Sequence, residues 1–144
     1  MSHTRFLYHI VFRTKGGKPL IGASWESEMH KYLGGIVKGW KGIAIEINGM
    51  PDHVHLLIFI VPCDFPAFMR ELKAGSSKWA KRHNPNFAWQ RRYGAFTVSP
   101  SVADKVRAYI RNQKNHHAGQ SFEDEYLELL EKHSVEFDRQ YLWD

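Results

Sequence analysis

Residues 43–61 read IAIEINGMPDHVHLLIFIV, two apolar runs on either side of a turn. In the first run, 43–47, isoleucines alternate with smaller or polar residues, which is the two-residue period of a β-strand. The turn, 48–52, contains glycine, proline and aspartate, and the second run covers 53–61. Two such runs joined by a short turn predict an antiparallel hairpin.

The elements on either side of this hairpin extend the pattern. The sequence predicts a strand at 6–13, a helix from Ser24 (with Ser27 as a second possible cap) to about Trp40, a helix from Phe65 to about His83, a strand at 93–98, a helix from Ser101 to about His117, and a short acidic helix capped by Ser121. The order β, α, β, β, α, β is that of the α+β, ferredoxin-like (split βαβ) fold. We therefore predict an antiparallel sheet with two helices on one face and an extra C-terminal helix carrying Tyr109. The other face is left for a ligand, a partner or a further helix.

Length and composition limit the class of protein. A chain of 144 residues and 16.8 kDa that is 43% hydrophobic predicts one folded domain, which we place at 1–120, followed by an acidic tail at 121–144. The single cysteine, Cys63, excludes an intramolecular disulfide and fits a reducing cytoplasm. The longest apolar run, 56–61, is too short to cross a membrane, and we expect no signal peptide.

Charge is distributed unevenly along the chain, whose net charge is +5. Residues 121–144 carry eight acidic side chains against Lys132 and Arg139, whereas residues 69–92 carry seven basic side chains against Glu71. A basic body indicates a polyanionic partner, most commonly a nucleic acid. A solvated basic face that serves solubility is the alternative.

The second strand of the hairpin begins with His53-Val54-His55. Side chains two apart in a strand point to the same face, so both imidazoles project together. Such a pair can chelate a divalent ion. Two ordinary histidines in a half-buried strand are the alternative.

A second polar pair lies on the helix predicted at 101–117. Tyr109 and Gln113 are four residues apart and share a helix face. Tyr109 is either packed at the margin of the core, with its hydroxyl toward solvent, or a nucleophile beside an amide oxygen that completes a metal site. His116 and His117 follow as further possible ligands, or as cations favoured at a helix C-terminus.

These motifs together resemble a known family. The run 50–57, MPDHVHLL, resembles the His-hydrophobic-His signature of HUH endonucleases, and most closely that of the single-tyrosine transposases of the IS200/IS605 type. The resemblance continues at YHIVFRTK (8–15), LKAGSSK (72–78), WQRRYGAFTVS (89–99), YIRNQKNHH (109–117) and YLWD (141–144). The loop 15–19 departs from the pattern, because relatives more often carry a Tyr-Arg pair there.

The resemblance implies a role for each polar residue. Tyr109 matches the nucleophile that attacks a DNA phosphodiester, forming a 5′-phosphotyrosine and releasing a 3′-hydroxyl. His53, His55 and Gln113 match the ligands of one Mg²⁺ or Mn²⁺ ion. The chemistry agrees, since a tyrosine hydroxyl with a pKa near 10 needs positioning and an ion can polarise the phosphate.

The resemblance also implies the substrate and the assembly. We expect single-stranded DNA with hairpin ends, a bacterial or archaeal nucleoid-associated location, and a homodimer in which the tyrosine helix of one subunit meets the His pair of the other. A monomer with its own complete site is the alternative. The cations expected to neutralise phosphates are Lys73, Lys78, Lys81, Arg82, Arg91 and Arg92. Trp79, Trp89 and Tyr93 are expected either to stack on bases or to pack in the core, with core packing favoured for Trp79.

Two other functions remain open. A ferredoxin-like module with basic and aromatic residues can hold single-stranded nucleic acid without catalysis. A metal-dependent nuclease can use water as its nucleophile. Tyr109 discriminates among the three, because only a tyrosine transesterase requires its hydroxyl.

Overall fold

A computed structural model describes residues 3–117, 119–139 and 142–143. Four strands, β1 (Phe6–Arg13), β2 (Ile43–Met50), β3 (His53–Ile60) and β4 (Gly94–Thr97), form one antiparallel sheet in the order β2-β3-β1-β4. This is the predicted ferredoxin-like order, so the fold class is confirmed. In the register of the two central strands, His53 lies opposite Arg13 and His55 opposite Val11.

One face of the sheet carries the helices α1 (Glu26–Gly39) and α2 (Phe65–Ala80). The alternating side chains of β1 and β3 that face these helices form the main core with them. Its fully buried members include Ile10, Phe12, Met29, Leu33, Leu56, Ile58, Phe68 and Leu72. Helix α2 begins after Asp64, whose carboxylate accepts from the backbone N–H of Ala67 at 3.0 Å. No helix among the described residues is long and apolar enough to cross a bilayer.

The opposite face is covered by the C-terminal half of the chain. It holds α3 (Ala103–Arg111), α4 (Gln113–His116) and α5 (Phe122–Lys132). Ile110 packs with Leu7 and Leu57, and α5 packs its own apolar stripe against Val11 and Phe96. The sheet face that the sequence leaves open is therefore filled by helices of the same chain.

The helix predicted continuously over 101–117 is interrupted. A 3₁₀ turn covers Pro100–Val102, and the helix breaks at Asn112 between α3 and α4. Asn48 of β2 donates its amide N–H groups to the carbonyls of Ile110 and Arg111, both at 3.1 Å, so these carbonyls are bonded to the hairpin at the helix end. The predicted Ser101 cap is wrong, because the residue lies within the 3₁₀ turn.

Several other boundaries differ by a few residues. Helix α1 begins at Glu26 with Trp25 as its N-cap, so the predicted caps Ser24 and Ser27 are wrong. Strand β2 continues to Met50, which leaves only Pro51 and Asp52 in the turn. The predicted cap of the last helix is confirmed, because Ser121 Oγ accepts from the Asp124 N–H at 3.2 Å.

Leu142 and Trp143 contact Gln90 and the β1 residue Arg13. The Arg13 guanidinium donates to Gln90 Oε1 at 2.7 Å and lies 4.4 Å above the Trp143 ring. Gln90 in turn donates to the carbonyl of Leu142 at 3.0 Å. Tyr141 and Asp144, which belong to the quoted run 141–144, lie outside the described residues. The division of the chain at residue 120 stays a prediction.

In the hairpin that carries the histidines, the backbone of β3 lies very close to Gly49 of β2. A Cβ added there would collide with the carbonyl oxygen of His53 and lie 2.9 Å from Val54 Cα. Because backbone atoms of a central strand cannot move aside, Gly49→Ala is expected to lower the free energy of unfolding by about 1–3 kcal/mol. Urea denaturation measures this loss.

Gly35 provides the matched control for that substitution. It is exposed in the middle of α1, and an added Cβ meets no atom within 4 Å. Gly35→Ala is therefore expected to raise the free energy of unfolding by about 0.5–1 kcal/mol. Equal effects of the two substitutions would contradict the close approach at Gly49.

Candidate active site

His53 and His55 lie side by side on β3, on the sheet face that α3, α4 and α5 cover. Their ring centroids are 5.1 Å apart, and their exposed fractions are 1% and 0%. The predicted common face is therefore observed, and both imidazoles are removed from solvent. Burial of two polar rings requires partners for all four ring nitrogens.

In three imidazoles of this region, those of His53, His55 and His117, the outer nitrogen Nδ1 contacts a neighbouring polar atom. His53 Nδ1 lies 2.7 Å from Asp52 Oδ1, and His55 Nδ1 lies 2.8 Å from His9 Nε2. His117, which follows α4, places its Nδ1 2.7 Å from the carbonyl oxygen of Gln120. In all three residues Nε2 is then directed inward, the arrangement in which outer partners orient metal-binding histidines.

The chain brings Tyr109 and Gln113 to its own His pair. Gln113 is fully buried, with Oε1 3.1 Å from His53 Nε2. The Tyr109 ring centroid is 5.8 Å from that of His55. All four predicted site residues thus meet within one chain. This is the arrangement expected of a monomer with its own complete site, the alternative to a homodimer with shared sites.

Glu125 of α5 lies at the centre of this group with an exposed fraction of 1%. Its Oε1 is 3.0 Å from Nε2 of both His55 and His117. Its Oε2 accepts hydrogen bonds from the Tyr109 hydroxyl and, at 3.0 Å, from Gln113 Nε2. Ligand atoms of four residues (His53, His55, His117 and Glu125) all lie within 4.8 Å of one another, close enough to hold one metal ion.

Burial and these contacts shift the protonation of the site. Burial lowers the pKa of His55 to about 4, so its imidazole is neutral at pH 7. Burial favours a neutral Glu125, but the hydrogen bonds from His55, Tyr109 and Gln113 outweigh it and hold the pKa of that carboxyl well below its usual range. Burial and the Glu125 carboxylate raise the pKa of the Tyr109 hydroxyl, which therefore stays protonated.

His116 faces the same carboxylate from the other side. Its Nε2 lies 3.5 Å from Glu125 Oε2, and its ring centroid is 5.2 Å from that of Tyr109. Among the described residues this buried nitrogen has no hydrogen-bond partner. A group that enters beside the Tyr109 hydroxyl would therefore meet an available imidazole nitrogen.

A cavity of about 370 Å³ opens beside Tyr109. Its lining is mostly apolar, from Val98, Val102 and Val106, and Lys105 and Lys132 add positive charge. The cavity offers space next to the hydroxyl for part of an anionic substrate.

The six predicted DNA-binding cations fall into two groups. Lys73 is half-buried and donates to the carbonyls of Gln90 and Arg91 at 2.6 and 2.7 Å, so it ties α2 to the loop before β4. The exposed members are Lys78, Lys81, Arg82, Arg91 and Arg92. All three predicted aromatics, Trp79, Trp89 and Tyr93, pack against the main core, as expected for Trp79.

Three residues of the site are not among the sequence predictions: His9, Asp52 and Glu125. His9 is a polar residue within an apolar strand, and Asp52 directly precedes His53. Glu125 has the clearest signal, because Phe122, Tyr126, Leu129 and Leu130 form a helical apolar stripe and Glu125 lies on it. The high acidic content of the tail conceals that one carboxylate faces inward.

Comparisons with known proteins identify the family of this chain and proteins of similar structure. The model of the family described as "Transposase IS200 like" matches residues 2–113. A candidate transposase from Deinococcus radiodurans R1 has a similar structure, with a TM-score of 0.63, 24% identity, and coverage of 78% of this chain and 93% of that one. A REP-associated tyrosine transposase bound to a REP hairpin has a TM-score of 0.63 and 14% identity, with 81% and 74% of the two chains covered. A search of curated proteins finds no match.

Proposed function

Because this chain belongs to the IS200-like transposase family, we propose that it cuts and rejoins single-stranded DNA through a covalent bond to Tyr109. The observation that carries the proposal is the placement of Tyr109 and Gln113 against the buried His pair within one chain. A module that only binds nucleic acid has no need of a tyrosine hydroxyl held by a buried carboxylate.

The proposed step exchanges one phosphate ester for another. The Tyr109 oxygen attacks phosphorus, a bond from that oxygen to phosphorus forms, and the bond from phosphorus to the 3′-oxygen breaks. The balance of the step is one proton lost from the Tyr109 hydroxyl and one gained by the released 3′-oxygen. Glu125 Oε2 is the acceptor that orients the hydroxyl hydrogen before attack. The phosphotyrosine retains the ester, so a second 3′-hydroxyl can reverse the step and join a new strand.

A divalent ion, Mg²⁺ or Mn²⁺, fits this site. The fit rests on the type of atoms present. Away from solvent, the site brings together imidazole nitrogens, an amide oxygen and a carboxylate oxygen, all of which bind divalent ions. His53, His55 and Gln113 are the proposed ligands. When bound, the ion supplies Lewis-acid polarisation of the scissile phosphate.

We propose hairpin-bearing single-stranded DNA as the substrate. A structural neighbour is described as bound to a REP hairpin, and the exposed cations of this chain are suited to phosphate contacts. Such a substrate would place the protein on the nucleoid of a bacterial or archaeal cell, as the enzyme of a mobile element or as a relative that acts on palindromic repeats.

The cations of α2 and its C-cap region give a quantitative prediction. Joint replacement of Lys78 and Arg82 by alanine is expected to reduce the slope of log affinity against log salt by about 1.4, since each phosphate contact on single-stranded DNA contributes about 0.7. Fluorescence anisotropy over a salt series measures the slope. Lys31 and Lys38, exposed on α1, form the matched control pair, and an equal effect there would contradict a localised DNA surface.

A homodimer with exchanged tyrosine helices stays part of the proposal. In this arrangement α3 and α4 of one copy would occupy the site of the other, as they occupy their own site here. Mixing inactive Tyr109→Phe with inactive His53→Ala protein is expected to restore activity, because a heterodimer then contains one complete site. A monomeric mass by light scattering, with no activity recovered on mixing, would show that each chain has its own complete active site.

A covalent-capture experiment tests the proposed function. The full chain is incubated with a hairpin oligonucleotide that carries a nick placed to release a short fragment after cleavage, in the presence of Mn²⁺ or Mg²⁺. We expect an SDS-resistant protein–DNA adduct that EDTA prevents. Cleavage without any adduct would favour the nuclease that uses water, and binding without cleavage would favour the binding module.

A further inference from the structure

We propose that His117 and Glu125, both contributed by the C-terminal segment, are ligands of the same ion as His53, His55 and Gln113. The inference rests on the proposed metal site and extends it from three protein ligands to five. It assigns Glu125, which belongs to the segment predicted as an acidic tail, to the catalytic centre.

The atoms that face inward in this site include more acceptors than donors. His53 Nδ1 faces a carboxylate and His117 Nδ1 faces a carbonyl, so each outer nitrogen carries the hydrogen. In a neutral imidazole Nε2 then carries a lone pair and no hydrogen. These lone pairs point at Glu125 Oε1 and Gln113 Oε1. An ionised carboxylate oxygen accepts hydrogen bonds but cannot donate one, and an amide oxygen likewise has no hydrogen. The amide N–H of Gln113 donates to Glu125 Oε2 instead.

Acceptors that face one another in a buried position require positive charge between them. Protons on Nε2 of both His53 and His117 would put two imidazolium cations side by side, with ring centroids 4.6 Å apart. One divalent ion satisfies the same lone pairs with a single centre. The central carboxylate then acts as a ligand and offsets part of the ion's charge.

The spacing of the atoms that face inward also fits a bound ion. Adjacent ligands of a six-coordinate ion bound at about 2.1 Å lie about 3.0 Å apart. Glu125 Oε1 is 3.0 Å from both His55 Nε2 and His117 Nε2, and 3.5 Å from His53 Nε2. Gln113 Oε1 is 3.1 Å from His53 Nε2. Five such atoms leave one of six positions for a substrate oxygen.

The fold holds both added ligands, His117 and Glu125, in place. His117 is oriented by the Gln120 carbonyl, and Ser121 starts α5 immediately afterwards. Phe122 and Tyr126, which flank Glu125 on the same helix face, pack with Val11 and Phe96 of the sheet. Glu125 therefore enters the site on a rigid element and not on a mobile chain end.

The added ligands change which ion the site prefers. Mg²⁺ favours oxygen ligands and keeps several waters, whereas Mn²⁺, which also accepts oxygen ligands, is a first-row transition ion that accepts imidazole nitrogens more readily. A site with three imidazoles is expected to bind Mn²⁺ more tightly than Mg²⁺.

Isothermal titration of the EDTA-treated full chain with Mn²⁺ and Mg²⁺ tests the inference without relying on activity. Glu125→Gln keeps the shape and the acceptor for Tyr109 but removes the charge, and His117→Ala removes one imidazole. Each is expected to raise the Kd for Mn²⁺ by at least about 10-fold, a loss seen even for residues that only support ligands. Glu131→Gln, exposed on the same helix, and His30→Ala on α1 serve as controls and should leave the Kd unchanged.

Thermal unfolding gives a second readout that separates ligand loss from misfolding. Mn²⁺ is expected to raise the Tm of the wild type and of the controls, and to raise it less in Glu125→Gln and His117→Ala variants. If both variants bind Mn²⁺ as tightly as the wild type while His53→Ala does not, the inference is overturned and the three-ligand site stands. If the wild type binds neither ion, the metal site of the proposed function fails, and the inference fails with it.

Discussion

Tyr109→Phe is expected to abolish covalent capture of hairpin DNA while DNA binding is preserved. The variant lacks only the attacking oxygen, and removal of a covalent nucleophile reduces turnover by on the order of 10⁶-fold. Phenylalanine keeps the ring contacts to His55 and His116, so the site keeps its shape. Adduct yield on a denaturing gel and affinity by anisotropy measure the two properties separately.

Tyr32→Phe is the matched control for this experiment. Tyr32 lies on α1, on the opposite side of the sheet, with 38% of its surface exposed. We expect its adduct yield to equal that of the wild type. An undiminished adduct yield in the Tyr109→Phe variant would show that another residue is the nucleophile.

Loss of the His pair is expected to have the second-largest effect. His53→Ala or His55→Ala removes a proposed ligand of the ion that polarises the phosphate, a contribution of several kcal/mol and thus about 10³-fold in rate. The measurement is strand cleavage over a series of Mn²⁺ or Mg²⁺ concentrations. Circular dichroism establishes that the fold is kept, and His30→Ala on α1 should cleave normally.

Removal of either histidine also leaves Glu125 with fewer partners. A buried acceptor that loses a hydrogen-bond partner costs about 1–3 kcal/mol, and more when it is ionised, so these variants are expected to unfold at lower temperature as well. Assays at low temperature separate that effect from the loss of chemistry. If a folded His53→Ala variant cleaves at the wild-type rate, the pair His53 and His55 has a structural role and not a catalytic one.

Local periodicity was sufficient to predict the fold and part of the site. The alternation in 43–61 predicts the β2–β3 hairpin, and the same two-residue period puts His53 and His55 on one face. The four-residue spacing of Tyr109 and Gln113 predicts a shared orientation, which survives although the helix breaks between them.

Tertiary contacts explain what the sequence reading did not predict. The break at Asn112 coincides with the hydrogen bonds that Asn48, more than 60 residues earlier, makes to carbonyls at the end of α3. The composition of the acidic tail does not reveal that Glu125 faces inward, because composition does not distinguish inward from outward carboxylates. Only the apolar stripe of α5 carries that information.

Mass spectrometry of the covalent adduct, after proteolysis and nuclease digestion, tests the role of Tyr109 most directly. We expect the nucleotide remnant to be attached through its 5′-phosphate to the peptide that contains Tyr109, and the released strand to end in a 3′-hydroxyl. A remnant on any other residue, or cleaved DNA with a free 5′-phosphate and no modified peptide, would contradict Tyr109 as the nucleophile.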